Sequence, residues 1–307
     1  CDLQVMSLTS YQTAPPCYRR KNDYSYFRKR GNEKLFHSTR SHLGFAMKRL
    51  RSFDMNMTKT LDIASFCVSR TMETSIPDFP GSYNGLQVEN NGTVTKIGAS
   101  VDAGIVPFRK AIELGIDFLL VHHGLFWNPP FPLIGSDYLK MKICLEGNLA
   151  VYGSHLPLDC HPEIGNNAIL AQKLDLRPSG NFLPYEGNNI GLLTEVDYDL
   201  AQLKGRLKKL FHSGITAMEF GSKNPKTIAI LTGSGQSAVD QIKLAGSDTL
   251  ITGELKQHHF NIAQESQLNL YACGHYATET FGVNALAQEI AKQFNLPYQF
   301  VDTDCPL

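Results

Sequence analysis

Asp117-Phe118-Leu119-Leu120-Val121-His122-His123-Gly124-Leu125-Phe126-Trp127 is a short apolar run that ends in a histidine pair, a glycine and an aromatic cluster. A run of this length reads as a buried strand over 117–121. The histidines stand where that strand gives way to a loop, the place where α/β proteins build sites.

Working outward, Lys96–Val101 is strand-like and Ile105–Leu114 is helical, with Gly115 as its C-cap. Beyond the histidines, Pro129, Pro130 and Pro132 keep the chain irregular. Asp137–Glu146 reads as a helix, Leu149–Tyr152 as a second apolar strand and Glu163–Leu174 as another helix. This β-α-β-α-β-α order predicts a sheet flanked by helices. Ahead of it lie a helix from Thr58 to about Arg70, a turn-rich stretch Ile76-Pro77-Asp78-Phe79-Pro80-Gly81, the segment Asn84–Val88 and a turn at Asn90-Asn91-Gly92.

Residues 176–190 are rich in Pro, Gly and Asn and read as a boundary. The second half then gives a strand at Leu192–Val196, a helix at Leu200–Phe211, a strand at Thr227–Leu231 and a helix at Ser237–Ala245. A strand at Asp248–Thr252, a helix around 256–266, a strand at Leu270–Cys273, a helix over Glu279–Phe294 and a strand at Gln299–Asp302 follow. The expected organisation is a leader over 1–56, a first α/β domain over 57–185 and a second over 186–307.

The two halves resemble each other. Ala111–Leu119 matches Ile242–Leu250 with Gly115/Gly246 and Asp117/Asp248 in register; Asn148-Leu149 and Gly153 match Asn269-Leu270 and Gly274; Gly165-Asn166-Asn167-Ala168 matches Gly282-Val283-Asn284-Ala285. Three anchors in one order suggest two copies of a single α/β unit, although common α/β patterning also mimics repeats. If the copies face each other, strand ends from both line one cleft. The first copy offers His122, His123, His155 and Asp159; the second offers Thr252-Gly253-Glu254 and Gly274-His275-Tyr276-Ala277-Thr278-Glu279.

His275 and Glu279 are four apart, which on a helix puts both side chains on one face. Adjacent His122 and His123 would point to opposite sides of a regular strand, but past its end they can approach two ions from one side. Three imidazoles and two carboxylates suit a pair of divalent ions with carboxylate bridges. Each piece also has an ordinary reading. A His pair is often two polar loop residues, as expected for His258-His259. H-x-x-x-E is often an i,i+4 polar pair, and Asp159 before Cys-His-Pro can be a turn residue. His155 and His161 stand between supporting and structural roles, and Trp127 between packing and a substrate wall. Thr232-Gly233-Ser234-Gly235-Gln236-Ser237 lies between a strand and a helix. It has no Gly-Lys-Ser/Thr, so it is not a Walker A loop, and it reads as a tight turn.

Composition narrows the class. With 307 residues, 42% hydrophobic and 19% charged, the chain is globular in type. No apolar stretch approaches the roughly 20 residues of a membrane helix. Seven cysteines without a CxxC pair suggest neither a disulfide framework nor a zinc ribbon, and a reducing, cytoplasmic compartment is expected. The zero net charge hides an asymmetry. Residues 1–56 carry 11 Lys/Arg against 4 Asp/Glu and the remainder 18 against 25, so the leader is near +7 and the body near −7. An acidic body argues against a broad nucleic-acid surface. The leader reads as an extension outside the fold, with initiation at Met55 or Met57. A transit peptide and a nucleic-acid tail are the other readings. No Gly-x-Ser-x-Gly elbow or cysteine nucleophile context is present, which sets covalent catalysis aside.

Asn84-Gly85-Leu86-Gln87-Val88, Val121–Trp127, Tyr152–Asp159, Thr252-Gly253-Glu254 and Gly274–Glu279, in this order, resemble the Nif-three-like family, also called GTP cyclohydrolase I type 2 homologues. The resemblance covers about 57–307. It implies two related α/β domains with a dinuclear metal site in the cleft between them, and a ring-shaped homohexamer. The family's ligand positions fall on His122, His123, Asp159, His275 and Glu279. With its short boundary the chain resembles the short, bacterial type. Mixed N/O ligands admit two divalent ions, Zn, Fe, Mn or Mg, with imidazole favouring the first two. The implied activity is metal-dependent hydrolysis, a ring opening of a purine nucleotide with His155 shuttling a proton. The alternative is a metal-binding or regulatory, partner-binding protein without catalysis. A phosphoesterase or amidohydrolase is a third reading.

Overall fold

The computed structural model of the protein describes residues 57–71, 75–127 and 132–307. The leader and the pair Pro129-Pro130 lie outside the described residues. β1 (Thr58–Lys59) leads into α1 (Thr60–Thr71). β2 (Gly85–Val88), β3 (Thr93–Val94), β4 (Ile97–Asp102), α2 (Ile105–Glu113), β5 (Phe118–His123), α3 (Gly135–Glu146) and β6 (Ala150–Gly153) follow. A one-turn helix α4 (Leu156–Asp159) and α5 (Asn166–Lys173) come next. The chain continues through β7 (Arg177–Tyr185), β8 (Asn188–Glu195), α6 (Leu200–Leu210), β9 (Thr216–Glu219), β10 (Thr227–Ser234) and a short α7 (Gln236–Val239). β11 (Thr249–Glu254), α8 (His259–Glu265), β12 (Asn269–Ala272), α9 (His275–Phe294) and β13 (Tyr298–Phe300) complete it.

The strands form two large mixed sheets. One has the order β13-β4-β5-β6-β2, parallel except for β2 beside β6. The other has the order β7-β8-β10-β11-β12-β9, in which β10, β11 and β12 are parallel and the outer strands antiparallel.

β5 explains why its sequence shows no polar alternation. It lies between parallel neighbours and both faces are covered. Phe118 and Leu120 pack with Ile63 and Cys67 of α1 and Leu286 and Ile290 of α9. Leu119 and Val121 point the other way, to Phe108 and Ala111 of α2 and Cys144 of α3. All four are fully buried, and truncating Leu120 to alanine would cost ~2–5 kcal/mol.

α9 joins the two sheets. Val283, Leu286, Ala287 and Ile290 belong to the core under the first sheet. Ala277 and Phe281 pack against the core under the second. The helix therefore holds the ends of both sets of parallel strands against its own first turns.

The structure departs from the expected elements in several places. β5 continues through both histidines instead of stopping at Val121, because β4 stays in register with it to the pair Asp102↔His123. Residues 176–190, expected as a boundary, are regular structure. They supply β7 and the start of β8, a hairpin closed by Glu186 (φ 46°) and Gly187 (φ 85°). Two successive positive φ values make a type I′ turn, and Pro178 and Pro184 are tolerated because β7 is an edge strand. β7 thus joins the second sheet while β13 returns to the first, so the sheets do not divide at residue 185. The helix expected over Ser237–Ala245 is helical only at Gln236–Val239, and β9 had no expected counterpart. α9 starts at His275, four residues earlier than expected. The N–H of Tyr276 in its first turn is taken by the Leu307 carbonyl (2.9 Å), a partner no local pattern announces.

Candidate metal centre

His122 and His123 are the last two residues of β5, and Asp159 is the last residue of α4. His275 opens α9 and Glu279 lies one turn on, so the i,i+4 pair is helical. His155 stands immediately before α4. All six side chains come together in one cluster.

Glu279 is its centre. Its Oε1 lies 3.6 Å from His122 Nε2 and 3.2 Å from His275 Nε2, and its Oε2 lies 3.2 Å from His123 Nε2. Asp159 Oδ2 lies 3.3 Å from His122 Nε2. Donor atoms within 4.8 Å of one another form three groups: His122, Asp159 and Glu279; His123, His275 and Glu279; and His122, His123 and His155. The first two groups share only Glu279.

Three of the histidines are held by a hydrogen bond at the other nitrogen, and the fourth faces a carboxylate there. His122 Nδ1 lies 3.0 Å from the Ser154 carbonyl. His123 Nδ1 lies 2.8 Å from Asp102 Oδ1, and His155 Nδ1 lies 2.8 Å from Asp78 Oδ1. His275 Nδ1 faces Glu254 Oε1 at 3.4 Å. Every one of these partners is an acceptor. In the neutral imidazole the proton therefore sits on Nδ1 and the Nε2 lone pair is left bare, the form that ligates metals. Asp159 is oriented likewise, accepting from Asn166 Nδ2 at 2.7 Å. Asn166 in turn accepts the N–H of Gly282 on α9 at 2.7 Å.

Electrostatics follow from the crowding. Burial opposes a charge on His122, but Asp159 and Glu279 outweigh it and hold its pKa well above the ordinary value. The hydrogen bond to Glu279 raises His275 to about 9, against its own burial. Burial alone would raise Glu279, yet His122, His275 and His123 hold it well below the usual carboxylate range.

The cluster fits divalent ions on its own chemistry. His122 Nε2 and Glu279 Oε2 are buried and have no hydrogen-bond partner. His123 Nε2 is near that Oε2, but without hydrogen-bond geometry. A buried polar atom left unpaired costs ~1–3 kcal/mol, and a cation is a single partner able to satisfy donor atoms that face a common point. Imidazole with carboxylate is a donor set for borderline divalent metals.

Several supporting residues escaped the sequence. Asp78 and Asp102 lie 77 and 21 residues from the histidines they orient, and only turn packing or strand register brings them in; Asn166, seen before only as part of the repeat, orients Asp159. Gly233 (φ +68°), next to last in β10, lies against the cluster; a Cβ there would lie 2.1 Å from Glu279 Oε1. Its N–H donates to Thr278 Oγ1 at 3.0 Å, which ties the end of β10 to α9; the stretch 232–237, expected as a tight turn, is the end of β10 running into α7. The hairpin expected as a boundary helps to wall a cavity of about 250 Å³ beside Asp159.

The other histidines among the described residues lie apart. His161 accepts the N–H groups of Glu163 and Ile164 on Nδ1. His258 is exposed, and buried His259 accepts the N–H of Lys256. Trp127 stands at the cluster, 4.7 Å from His155 and 5.5 Å from His123 between ring centroids. No helix among the described residues is long and apolar enough to cross a membrane.

Residues 80–306 match the family model described as Duf34/NIF3 (NGG1p interacting factor 3). A Deinococcus radiodurans protein named GTP cyclohydrolase 1 type 2 homolog is 37% identical over 223 residues, 72% of this chain and 85% of its own length. The Escherichia coli K12 protein of the same name is 37% identical over 251 residues, 81% of this chain and 99% of its own. The crystal structure of TTHA1606 from Thermus thermophilus superposes with a TM-score of 0.73 at 36% identity, covering 81% of this chain and 100% of that one.

Proposed function

The chain belongs to the Duf34/NIF3 family, and from that premise we propose that it is a dinuclear metal-dependent hydrolase acting on a purine nucleotide. The relatives' name, GTP cyclohydrolase 1 type 2 homolog, supplies the substrate class. The observation that carries the reading is the pair of donor groups that share only Glu279. His122, Asp159 and Glu279 would hold one ion; His123, His275 and Glu279 would hold the other, with Glu279 common to both. Zn, Fe, Mn and Mg are all compatible, and imidazole favours Zn or Fe.

Bound divalent ions supply Lewis acidity, which lowers the pKa of water and polarises the bond under attack. The protein's own groups do the rest. The acceptors behind the histidines keep each Nε2 turned inward and cut the cost of organising the site. His155 moves the proton between water and the leaving nitrogen as the imidazole ring of the nucleotide opens. Trp127 offers a flat wall for the substrate ring beside His155.

The deciding experiment is elemental analysis of the purified protein followed by turnover assays with GTP and related nucleotides. Metal bound near two per chain, with hydrolysis lost in His123→Ala, is the expected result. Equal activity after chelation would sink the reading.

The family description as an interacting factor favours a second reading, a metal-stabilised protein that binds a partner without catalysis. It predicts retained metal, no hydrolysis of any nucleotide, and partners that are lost with the metal.

Three further points belong to this proposal. The two halves are copies of one unit: β4-β5-β6 with antiparallel β2 has the same arrangement as β10-β11-β12 with antiparallel β9. The subunits form a ring-shaped homohexamer. The protein works in a reducing, cytoplasmic compartment, in keeping with the free thiols of Cys144, Cys160, Cys273 and Cys305.

A further inference from the structure

Asp78 lies in the turn before β2, 77 residues from His155 and outside the ligand set. Its carboxylate is nonetheless fully engaged. Oδ1 accepts from His155 Nδ1 at 2.8 Å and from the Phe79 N–H at 2.7 Å. Oδ2 accepts from Asn84 Nδ2 at 2.8 Å and from the Leu156 N–H at 3.0 Å. The Asp78 side chain is only 5% exposed. Asn84 Oδ1 accepts the His155 backbone N–H at 2.7 Å. Both the ring and the backbone of His155 are thus clamped from one turn.

The ring is also held from its sides. Trp127 meets it edge-on at 4.7 Å and 82°, and Phe79 lies at 5.7 Å. A turn or capping role for Asp78 would account for the bond to Leu156, the first residue of α4, but not for the bond to the imidazole. Burial favours the neutral acid, yet the hydrogen bond and charge of His155 bring the Asp78 pKa down to about 2. A carboxylate only accepts, so the proton between the two groups belongs to His155 Nδ1.

We propose that Asp78 is a positioning residue that fixes His155 in the Nδ1–H tautomer, leaving its bare Nε2 to take a proton at the His122–His123 side of the site. The catalytic half of this inference rests on the hydrolase reading; the orientational half does not. In the reaction, water loses one proton as its oxygen bonds to the substrate carbon. Nε2 takes that proton and gives it to the nitrogen that leaves when the C–N bond breaks, so His155 ends as it began. With the opposite tautomer, Nε2 would carry a hydrogen at the start and could not accept.

The test uses the whole chain loaded with zinc and labelled with 15N in histidine. His155, assigned by its loss in His155→Gln, should show the Nδ1–H tautomer in the unmodified protein. In Asp78→Asn that signature should shift to the other tautomer or to an average, with zinc content unchanged. Turnover by Asp78→Asn should fall in kcat by ~10–100-fold with KM unchanged, and Asp78→Glu should recover part of it. An Nε2–H signature in the unmodified protein overturns the proposal, as does a signature that Asp78→Asn leaves in place. Loss of zinc in His155→Gln would make His155 a ligand and overturn it as well. If the protein hydrolyses nothing, the hydrolase reading fails while the tautomer still decides the role of Asp78. If Asp78→Asn does not fold, the unmodified protein decides it.

Discussion

His122 and Glu279 face each other across 3.6 Å between Nε2 and Oε1, and each carries a buried atom without a hydrogen-bond partner. One comes from the end of β5 and the other from the first turns of α9, 157 residues apart in the chain. Their meeting joins the two donor groups into one centre.

Glu279 belongs to both carboxylate-bearing groups, so its replacement should empty both. Glu279→Gln keeps the shape and removes the charge. Metal affinity should fall by more than the ~10–100-fold typical of losing an outer hydrogen-bond partner. Elemental analysis after gel filtration measures it. Metal retained at the original stoichiometry would contradict the bridging role.

Gly233→Ala tests the close approach of β10 to that carboxylate. An L-residue at φ +68° costs ~1–2 kcal/mol, and its Cβ would fall on Glu279 Oε1. The expected outcome is a melting temperature a few degrees lower, together with reduced metal content. Lower stability with full metal content would mean that Glu279 has room to move.

The metal-free protein should lose stability as the solution turns alkaline. Glu279 raises the folded-state pKa of His275 from an ordinary 6.5 to about 9. A group raised on folding adds stability that is fully present below its unfolded pKa and is lost as pH rises through its folded pKa. Chelated protein should therefore weaken between about pH 6.5 and 9, and His122 acts in the same direction. Bound metal displaces those protons, so the loaded protein should lack this slope and metal uptake should release protons. Urea midpoints across that range, with and without zinc, provide the check. A flat profile in chelated protein is the contrary result.

Assembly gives a fourth prediction. Ile134 and Leu145, at the start and end of α3, are 72% and 66% exposed, an arrangement that suits burial between subunits. Light scattering should return about six times the mass of the chain, and charged substitutions at both positions should lower it. A monomer at micromolar concentration would refute the hexamer.

Local pattern carried much of this fold. The apolar run 118–121 and the amphipathic segments around it are set by nearest-neighbour chemistry: a doubly covered strand must be apolar throughout, and a helix on a sheet must be apolar on one face. The same logic marked His122, His123 and the His275–Glu279 spacing. It failed where the deciding contact is distant. Pro, Gly and Asn composition disguised the 177–195 hairpin, whose prolines are permitted by an edge position that only the assembled sheet defines. The start of α9 depended on the Leu307 carbonyl, and the extent of β5 on register with β4.

By itself, then, the sequence offered candidate side chains and the elements that carry them, because residue type and helical or strand period are local properties. Only the tertiary structure decided that each imidazole shows Nε2 to the cluster. That depends on Asp78, Asp102, Glu254 and the Ser154 carbonyl, acceptors that reach the Nδ1 atoms through packing of separate segments. A hydrogen bond between residues 77 apart leaves no periodicity to read. It is nonetheless what fixes the tautomer, and with it the chemistry open to the site.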